Sequence, residues 1–461
     1  MSYEDFLKSK ELDIGSVGLD VEKDELHDTL FGFQRDIVKW ALKRGKAAIF
    51  AGTGLGKTLM QLEWAKQIHE RTKDNVLILA PLAVASQTAR EGLKIDLTVH
   101  LVRQDEDVQS GINIANYEIL HKLDLRKFNA IVLDESSILK NFTGKVRNQI
   151  IDEFKYYDYK LACTATPAPN DHMELGNHAE FLNIMTRTEM LAMFFVHDAG
   201  ETQKWRLKGH AKDKFWEWVA NWAVLVTKPS DLGYEDGAFD LPALNMHEVV
   251  IESDADDGHL IPVQAETLSE RRKARRESLE ERCQKTADMV NATDEHFLVW
   301  CDLNDESKRL KELIPDGVEI KGSDKLEHKE QAMLDFADGK IRVLITKPKI
   351  AGVGLNWQVC RNMAFVGLSD SFEQVFQSIR RCWRFGQNRE VNVYMVISEK
   401  EGAVLSNIKR KEEDFNIMID GMVRFTKNIT KDNIQSTKQE QTLYDGIENV
   451  KIPSFMKGVS Q

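Results

Sequence analysis

Ala51-Gly52-Thr53-Gly54-Leu55-Gly56-Lys57-Thr58 is the stretch on which the reading of this chain turns. The apolar run Ala47-Ala48-Ile49-Phe50 before it predicts a buried strand, and Leu59 to His69 after it predicts a helix. Strand, glycine-rich turn and helix in that order form a phosphate-binding loop. Small residues at Gly52, Thr53, Gly54 and Gly56 let backbone N–H groups wrap phosphate oxygens, and the helix N-terminus adds positive potential. Lys57 is then placed to reach the β- and γ-phosphates, and the Thr58 hydroxyl to meet a magnesium ion. A glycine turn without a ligand is the plainer alternative. It leaves the Gly-Lys-Thr register between strand and helix unexplained.

Working outward, the segment Leu30 to Trp40 carries Phe33, Ile37 and Trp40 at helical spacing. Gln34 lies off that stripe, just upstream of the loop, where its amide suits an adenine edge. Downstream, Asn75 to Ala80 is a second buried strand stopped by Pro81, with Ser86, Gln87 and Arg90 on a helix after it. Ile112 to Tyr117, containing Asn116, is a short strand and turn. Ala130-Ile131-Val132-Leu133-Asp134-Glu135 runs apolar and ends on two carboxylates. Ligands of open parallel sheets sit beyond the carboxyl ends of strands. Asp134 is therefore placed to hold magnesium, and Glu135 to orient and deprotonate a water. Lys160 to Pro167 is another strand, ending on Thr164 and Thr166. Strands alternating with helices predict a doubly wound parallel sheet.

The chain has 461 residues, enough for two or three domains. Its net charge of −12 rules out a surface that attracts nucleic acid as a whole, so any such contact belongs to a local basic cleft. Five scattered cysteines lack metal-ligand spacing and fit a reducing cytoplasm. The acidic start Met1 to Asp5 has none of the features of a signal peptide. No apolar run reaches the roughly 20 residues of a membrane helix.

In the second half, Phe297 to Cys301, Val318 to Ile320 and Arg342 to Thr346 predict strands, with helices over 307–313 and 327–336 between them. Ala351-Gly352-Val353-Gly354-Leu355-Asn356 follows the last of these. Gln377 opens a run continuing Ser378-Ile379-Arg380-Arg381-Cys382-Trp383-Arg384-Phe385-Gly386-Gln387. On a helix, Arg381 and Arg384 would share a face and could point at one γ-phosphate, a task that suits an always-charged fork. Arg271-Arg272-Lys273-Ala274-Arg275-Arg276 packs five positive charges into six residues on a predicted helix over 266–289. It reads as a phosphate-contacting helix or as a solvated face. Trp205, Trp216, Trp218 and Trp222 read as helical core, with base stacking as the other option.

Together these motifs resemble superfamily-two helicases and translocases. Gln34 resembles their adenine-reading glutamine, Asp134-Glu135-Ser136-Ser137 their DEAD/DEAH-type box, and Thr164 to Pro167 their third motif. Pro81-Leu82 with Gln87 and Glu91, Ile138-Leu139-Lys140-Asn141, and the two C-terminal motifs resemble the Swi/Snf branch of duplex-DNA translocases. The resemblance implies two RecA-like lobes of the P-loop NTPase class with a helical insertion. Expected boundaries are a polar segment at 1–28, lobe one at 29–235 with its insertion at about 171–225, and a linker and basic helix at 236–290. Lobe two follows at 291–400, then a C-terminal helix and tail at 401–461. ATP and Mg²⁺ are the implied cofactors, bound by Gln34, the 52–58 loop, Gly354 and Asp134. Lys57, Glu135, Gln377, Arg381 and Arg384 would carry catalysis. Pro81, Gln87, Asn116, Thr164, Thr166, Gly352, Asn356, Arg271 and Arg272 would grip nucleic acid or couple it to hydrolysis. Duplex DNA is the expected partner. An RNA helicase, the motor subunit of a restriction or defence complex with a protein partner, and a non-catalytic binding module are the competing readings.

Overall fold

Seven parallel strands are built from the first half of the chain. The computed structural model describes residues 18–81, 84–140, 144–169, 171–198, 201–252, 273, 275–352, 356–368 and 371–435. The strands of the first sheet are β1 (Lys46–Ala51), β2 (Val76–Ala80), β3 (Val99–Val102), β4 (Ile112–Asn116), β5 (Ala130–Asp134), β6 (Tyr159–Thr164) and β9 (Ala223–Val226), in the order β3-β4-β2-β5-β6-β1-β9. All pairings in this sheet are parallel. Helices therefore cover both faces, and the strands read as near-continuous apolar runs. On β1, Ala47 and Ile49 pack with Ile37, Trp40 and Trp64 on one side, while Ala48 and Phe50 belong to the core on the other, with Phe181 and Trp222. Register brings Phe50 level with Thr164, and Asp134 level with Cys163. The glycine loop, the two carboxylates and the two threonines thus leave the sheet at one edge.

The second sheet holds β10 (Leu244–Ile251), β11 (Phe297–Cys301), β12 (Gly317–Glu319), β13 (Val343–Thr346), β14 (Asn362–Val366) and β15 (Val391–Ser398), in the order β10-β15-β14-β11-β13-β12. It too is parallel throughout. The chain therefore has two parallel-sheet α/β domains.

Three expectations need correction. The insertion is not all helical: β7 (Phe195–Asp198) and β8 (Glu201–Leu207) form an antiparallel hairpin, and β9 returns to the edge of the first sheet. Trp216, Trp218 and Trp222 are core residues, as their spacing predicts, and offer no stacking face. Before residue 29, Val21 and Leu26 are buried in the first lobe's core, so the chain from residue 18 packs as part of that lobe. The segment expected as linker supplies β10, which pairs with β15 along its whole length.

The basic stretch is also different. Residues 271, 272 and 274, and with them the Arg271 and Arg272 assignments, lie outside the described residues. Its neighbour Arg275 is buried and paired with Asp302 and Glu401. Below it, the Leu279–Asn291 helix presents Arg282, fully buried, to Glu306 at 2.8 Å and to Glu401 at 3.7 Å. Two arginines from this region therefore serve a buried ion network and not a phosphate surface. Removing one member of such a network strands a charge, at roughly 3–5 kcal/mol.

Glu401 begins the last element. A short 3-10 turn, Glu399–Glu401, leads into a single helix, Gly402–Gln435. This helix leaves the second lobe, packs Phe415 at a tilt against Phe372 and edge-on against Phe376, and runs on against the Lys212–Ala220 helix and β9 of the first. The expected C-terminal helix thus reaches Gln435. Residues 436–461 lie outside the described part. No helix among the described residues is long and apolar enough to cross a membrane.

Candidate active site

The glycine loop closes at Gly54 and Gly56, both at positive φ (92° and 80°), a region closed to most side chains. Lys57 opens the next helix and its ammonium donates to the loop carbonyl of Ala51 at 2.8 Å. Burial lowers the Lys57 pKa, while Glu135 and Asp134 pull it back up. Burial, then the charge of Glu135, pushes Asp134 up to about 7, and the fully buried Gln61 beside it acts the other way. Glu135 sits at φ 55°, left-handed for a residue with a side chain. Its own N–H donates to Asp134 Oδ1 at 3.1 Å.

From Glu135 a hydrogen-bonded path crosses the cleft. Thr164 Oγ1 donates to Glu135 Oε2 at 3.3 Å, and the Thr166 N–H donates to Thr164 Oγ1 at 3.1 Å. Gln377 Nε2, from the second lobe, donates to Thr166 Oγ1 at 3.4 Å. Arg381 Nε in turn donates to the Gln377 carbonyl at 3.1 Å. A Lys140–Glu373 ion pair joins the lobes alongside.

Arg381 and Arg384 do not share a helix as expected. The Phe372–Ile379 helix stops first, and both arginines sit in the turns that follow. Both still feel the charge of Glu135. Burial lowers Arg381, and Glu135 and Asp134 oppose it. Arg384 is pushed down to about 9 by burial and by Arg381, with Glu91 and Glu135 opposing. The next residue, Phe385, rests on the loop: a Cβ on Gly54 would stand 2.8 Å from its backbone nitrogen. Two halves of the chain distant in sequence therefore meet at the glycine loop. Between them, the Gly52–Leu55 loop, Phe239, Arg380, Phe385 and Phe415 line a cavity of about 260 Å³. That is below the roughly 300–1,000 Å³ of most ligand pockets.

Gln34 is buried, and its amide is committed to backbone: Nε2 donates to the Leu55 carbonyl at 2.8 Å and Oε1 accepts from Phe31 N–H at 2.8 Å. It braces the loop. Aromatic contacts missed by sequence reasoning lie beside it, where Phe239 stands 5.1 Å from Phe31 and 4.6 Å from Phe385. No local spacing links those three rings. Pro81, Gln87 and Asn116 emerge at the same edge as Thr164, and Gln87 Oε1 and Asn116 Oδ1 are buried acceptors without a partner among the described residues. Asn356 Oδ1, beyond β13, is another. Gly352 ends the short Pro348–Ala351 helix, donating to the Pro348 carbonyl at 2.8 Å where a Cβ would collide. Gly354 lies outside the described residues.

Residues 33–195 match the SNF2-related domain, and residues 281–386 match the helicase conserved C-terminal domain. Between them the two matches take in more than half of the chain, and each holds one face of the cleft. The chain belongs to superfamily two, in its Swi/Snf-like branch. This Swi/Snf-like chain matches no curated protein sequence. Among solved structures it is similar to the Sulfolobus solfataricus SWI2/SNF2 ATPase core in complex with dsDNA, at 16% identity over 90% of this chain and 99% of that one, with a TM-score of 0.42. It is also similar to S. cerevisiae Dbp5 bound to RNA and ADP BeF3, at 11% identity over 86% and 93% of the two chains, with a TM-score of 0.54. The second likeness shows the RecA-like helicase fold. Membership implies a nucleotide-binding, helicase-like ATPase core.

Proposed function

We propose that this chain hydrolyses ATP when nucleic acid is bound and uses the cycle to move along duplex DNA. One observation carries the hydrolytic part: Arg381 and Arg384 of the second lobe lie within electrostatic reach of Glu135, opposite Lys57 and the glycine loop. Three parts of the site fit a magnesium nucleotide. Gly54 and Gly56 bend the loop through positive φ so that its amides can turn inward, Asp134 is a buried carboxylate with no salt bridge among the described residues, and Thr58 stands next to Lys57. No cluster of three or more metal-ligating side chains exists among the described residues. That suits Mg²⁺, which takes one or two carboxylates and shares the phosphates. Thr58 and Asp134 would hold the ion, which when bound neutralises charge on the phosphate oxygens.

The chain's own residues then divide the work. Lys57 neutralises phosphate charge from the first lobe. Glu135, its carboxylate steadied by Thr164, orients the water and takes its proton. Arg381 and Arg384 stabilise the charge that develops on the far side, worth roughly 10³–10⁵ in rate for such arginines. The Glu135–Thr164–Thr166–Gln377 path gives the second lobe's position a direct route to the base. Nucleic acid spanning Pro81, Gln87 and Asn116 of one lobe and Gly352 and Asn356 of the other would favour closure, and so hydrolysis. The SNF2-related match favours duplex DNA over RNA.

ATPase rates with single-stranded DNA, duplex DNA, forks and RNA compared side by side test this. Stimulation by duplex DNA is expected. Stimulation by RNA alone would replace the DNA reading with an RNA helicase, and no phosphate release under any condition would end the enzymatic one.

A further inference from the structure

Glu135 holds a backbone conformation that costs roughly 1–2 kcal/mol for a residue with a Cβ. Something next to it has to keep that geometry in place. The Thr164 bond fixes the side chain but not the backbone. The backbone runs on into the turn Ser136–Lys140, with Ile138 N–H donating to the Glu135 carbonyl at 3.2 Å.

Both ends of that turn are held by consecutive residues of one helix, Leu175–Phe181. At the near end, Ser136 Oγ and His178 Nε2 are 3.1 Å apart, and both residues are fully buried. At the far end, Asn177 Nδ2 donates to the Lys140 carbonyl at 3.2 Å. The helix is itself tied down by the Arg147–Glu180 ion pair. The His178 ring also meets Phe50 edge-on, with centroids 5.1 Å apart, and Phe50 is the residue before the start of the glycine loop. One buried imidazole therefore touches the strand that feeds the phosphate loop and the residue that follows the base.

We propose that His178 is a positioning residue for the reaction: by pinning Ser136 it holds the Glu135 backbone in its left-handed turn and keeps the base in register with the glycine loop. This rests on the ATP-hydrolysis reading. A histidine that only fills core space would share the burial but not the directed effect on Glu135.

His178→Ala and His178→Gln are to be compared with the parent chain, each also in a Glu135→Gln background. Gln can put an amide where Nε2 lies. For His178→Ala the proposal expects turnover to fall roughly 10- to 100-fold, as misplacement of a catalytic group does. ATP affinity, read with a fluorescent nucleotide, should stay within about threefold, since the loop contacts are untouched. His178→Gln should recover most of the rate, and His178→Ala should add nothing once Glu135 is Gln. Amide hydrogen exchange over Ser136–Lys140 should speed up in the alanine variant and not in the glutamine variant. Loss of affinity in step with turnover, a Gln variant no better than Ala, an additive effect on Glu135→Gln, or unchanged exchange over the turn would each overturn the proposal. A parent chain without turnover would instead count against the ATPase reading, and the exchange measurement would still decide the pinning.

Discussion

Asp134 ionises near 3.8 when unfolded, yet burial beside Glu135 keeps it protonated up to about 7 in the fold. Between those values the folded state binds the extra proton, so stability falls as pH rises and stays low above about 7. Asp134→Asn removes that penalty. In thermal melts without nucleotide the variant should melt above the parent at pH 8, with the gap closing as pH is lowered toward 5. Its turnover should be lost. Arg384 makes the complementary case. Arg384→Ala should cut turnover by roughly 10³ or more while leaving ATP binding within a few-fold, as read by phosphate release and nucleotide titration. Near-normal turnover would remove the second lobe from the mechanism. Lys57→Ala should abolish hydrolysis in the same assay.

Among the elements, what could be read from the sequence was what is local. The glycine loop, the strand ending at Asp134 and the strand ending at Thr164 each carry their signal within a dozen residues, and each stands where spacing put it. What escaped depends on distant partners. β10 fully buries none of its residues and looks like a linker until β15, 147 residues on, pairs with it. Arg275 and Arg282 look like a basic face until Glu306 and Glu401 meet them. His178 gave no signal, because only the fold brings it to Ser136. Two glycines separate conformational need from mere tolerance. Gly54→Ala meets a φ of 92° and the Phe385 backbone at once, so it should weaken nucleotide binding and disturb the interlobe contact together. Gly421, inside the last helix, has open space where a Cβ would go. Gly421→Ala should therefore raise stability by about 0.5–1 kcal/mol, seen as a higher denaturation midpoint.

At the scale of the molecule, the two lobes are joined by the Lys140–Glu373 pair, the Gln377–Thr166 bond and the last helix. Lys140 is 37% exposed, so the ion pair is worth at most about 1 kcal/mol. Glu373→Gln should then leave the melting temperature nearly unchanged. The same small energy shifts an open–closed ratio by about fivefold, which is visible as a changed distance distribution between fluorophores placed one on each lobe. Unaltered distances would show that the pair does not bias closure.

The last helix has a practical corollary for anyone cutting the gene. The helicase C-terminal match ends at residue 386, before β15, whereas a fragment trimmed after Lys400 retains every described strand of both sheets. It loses Phe415 from over Phe372 and Phe376, and with it the cover on that side of the cleft. Bared aromatic seams of this kind clump. Such a fragment is expected to come out of cells insoluble, so the smallest usable piece reaches well past the matched domains.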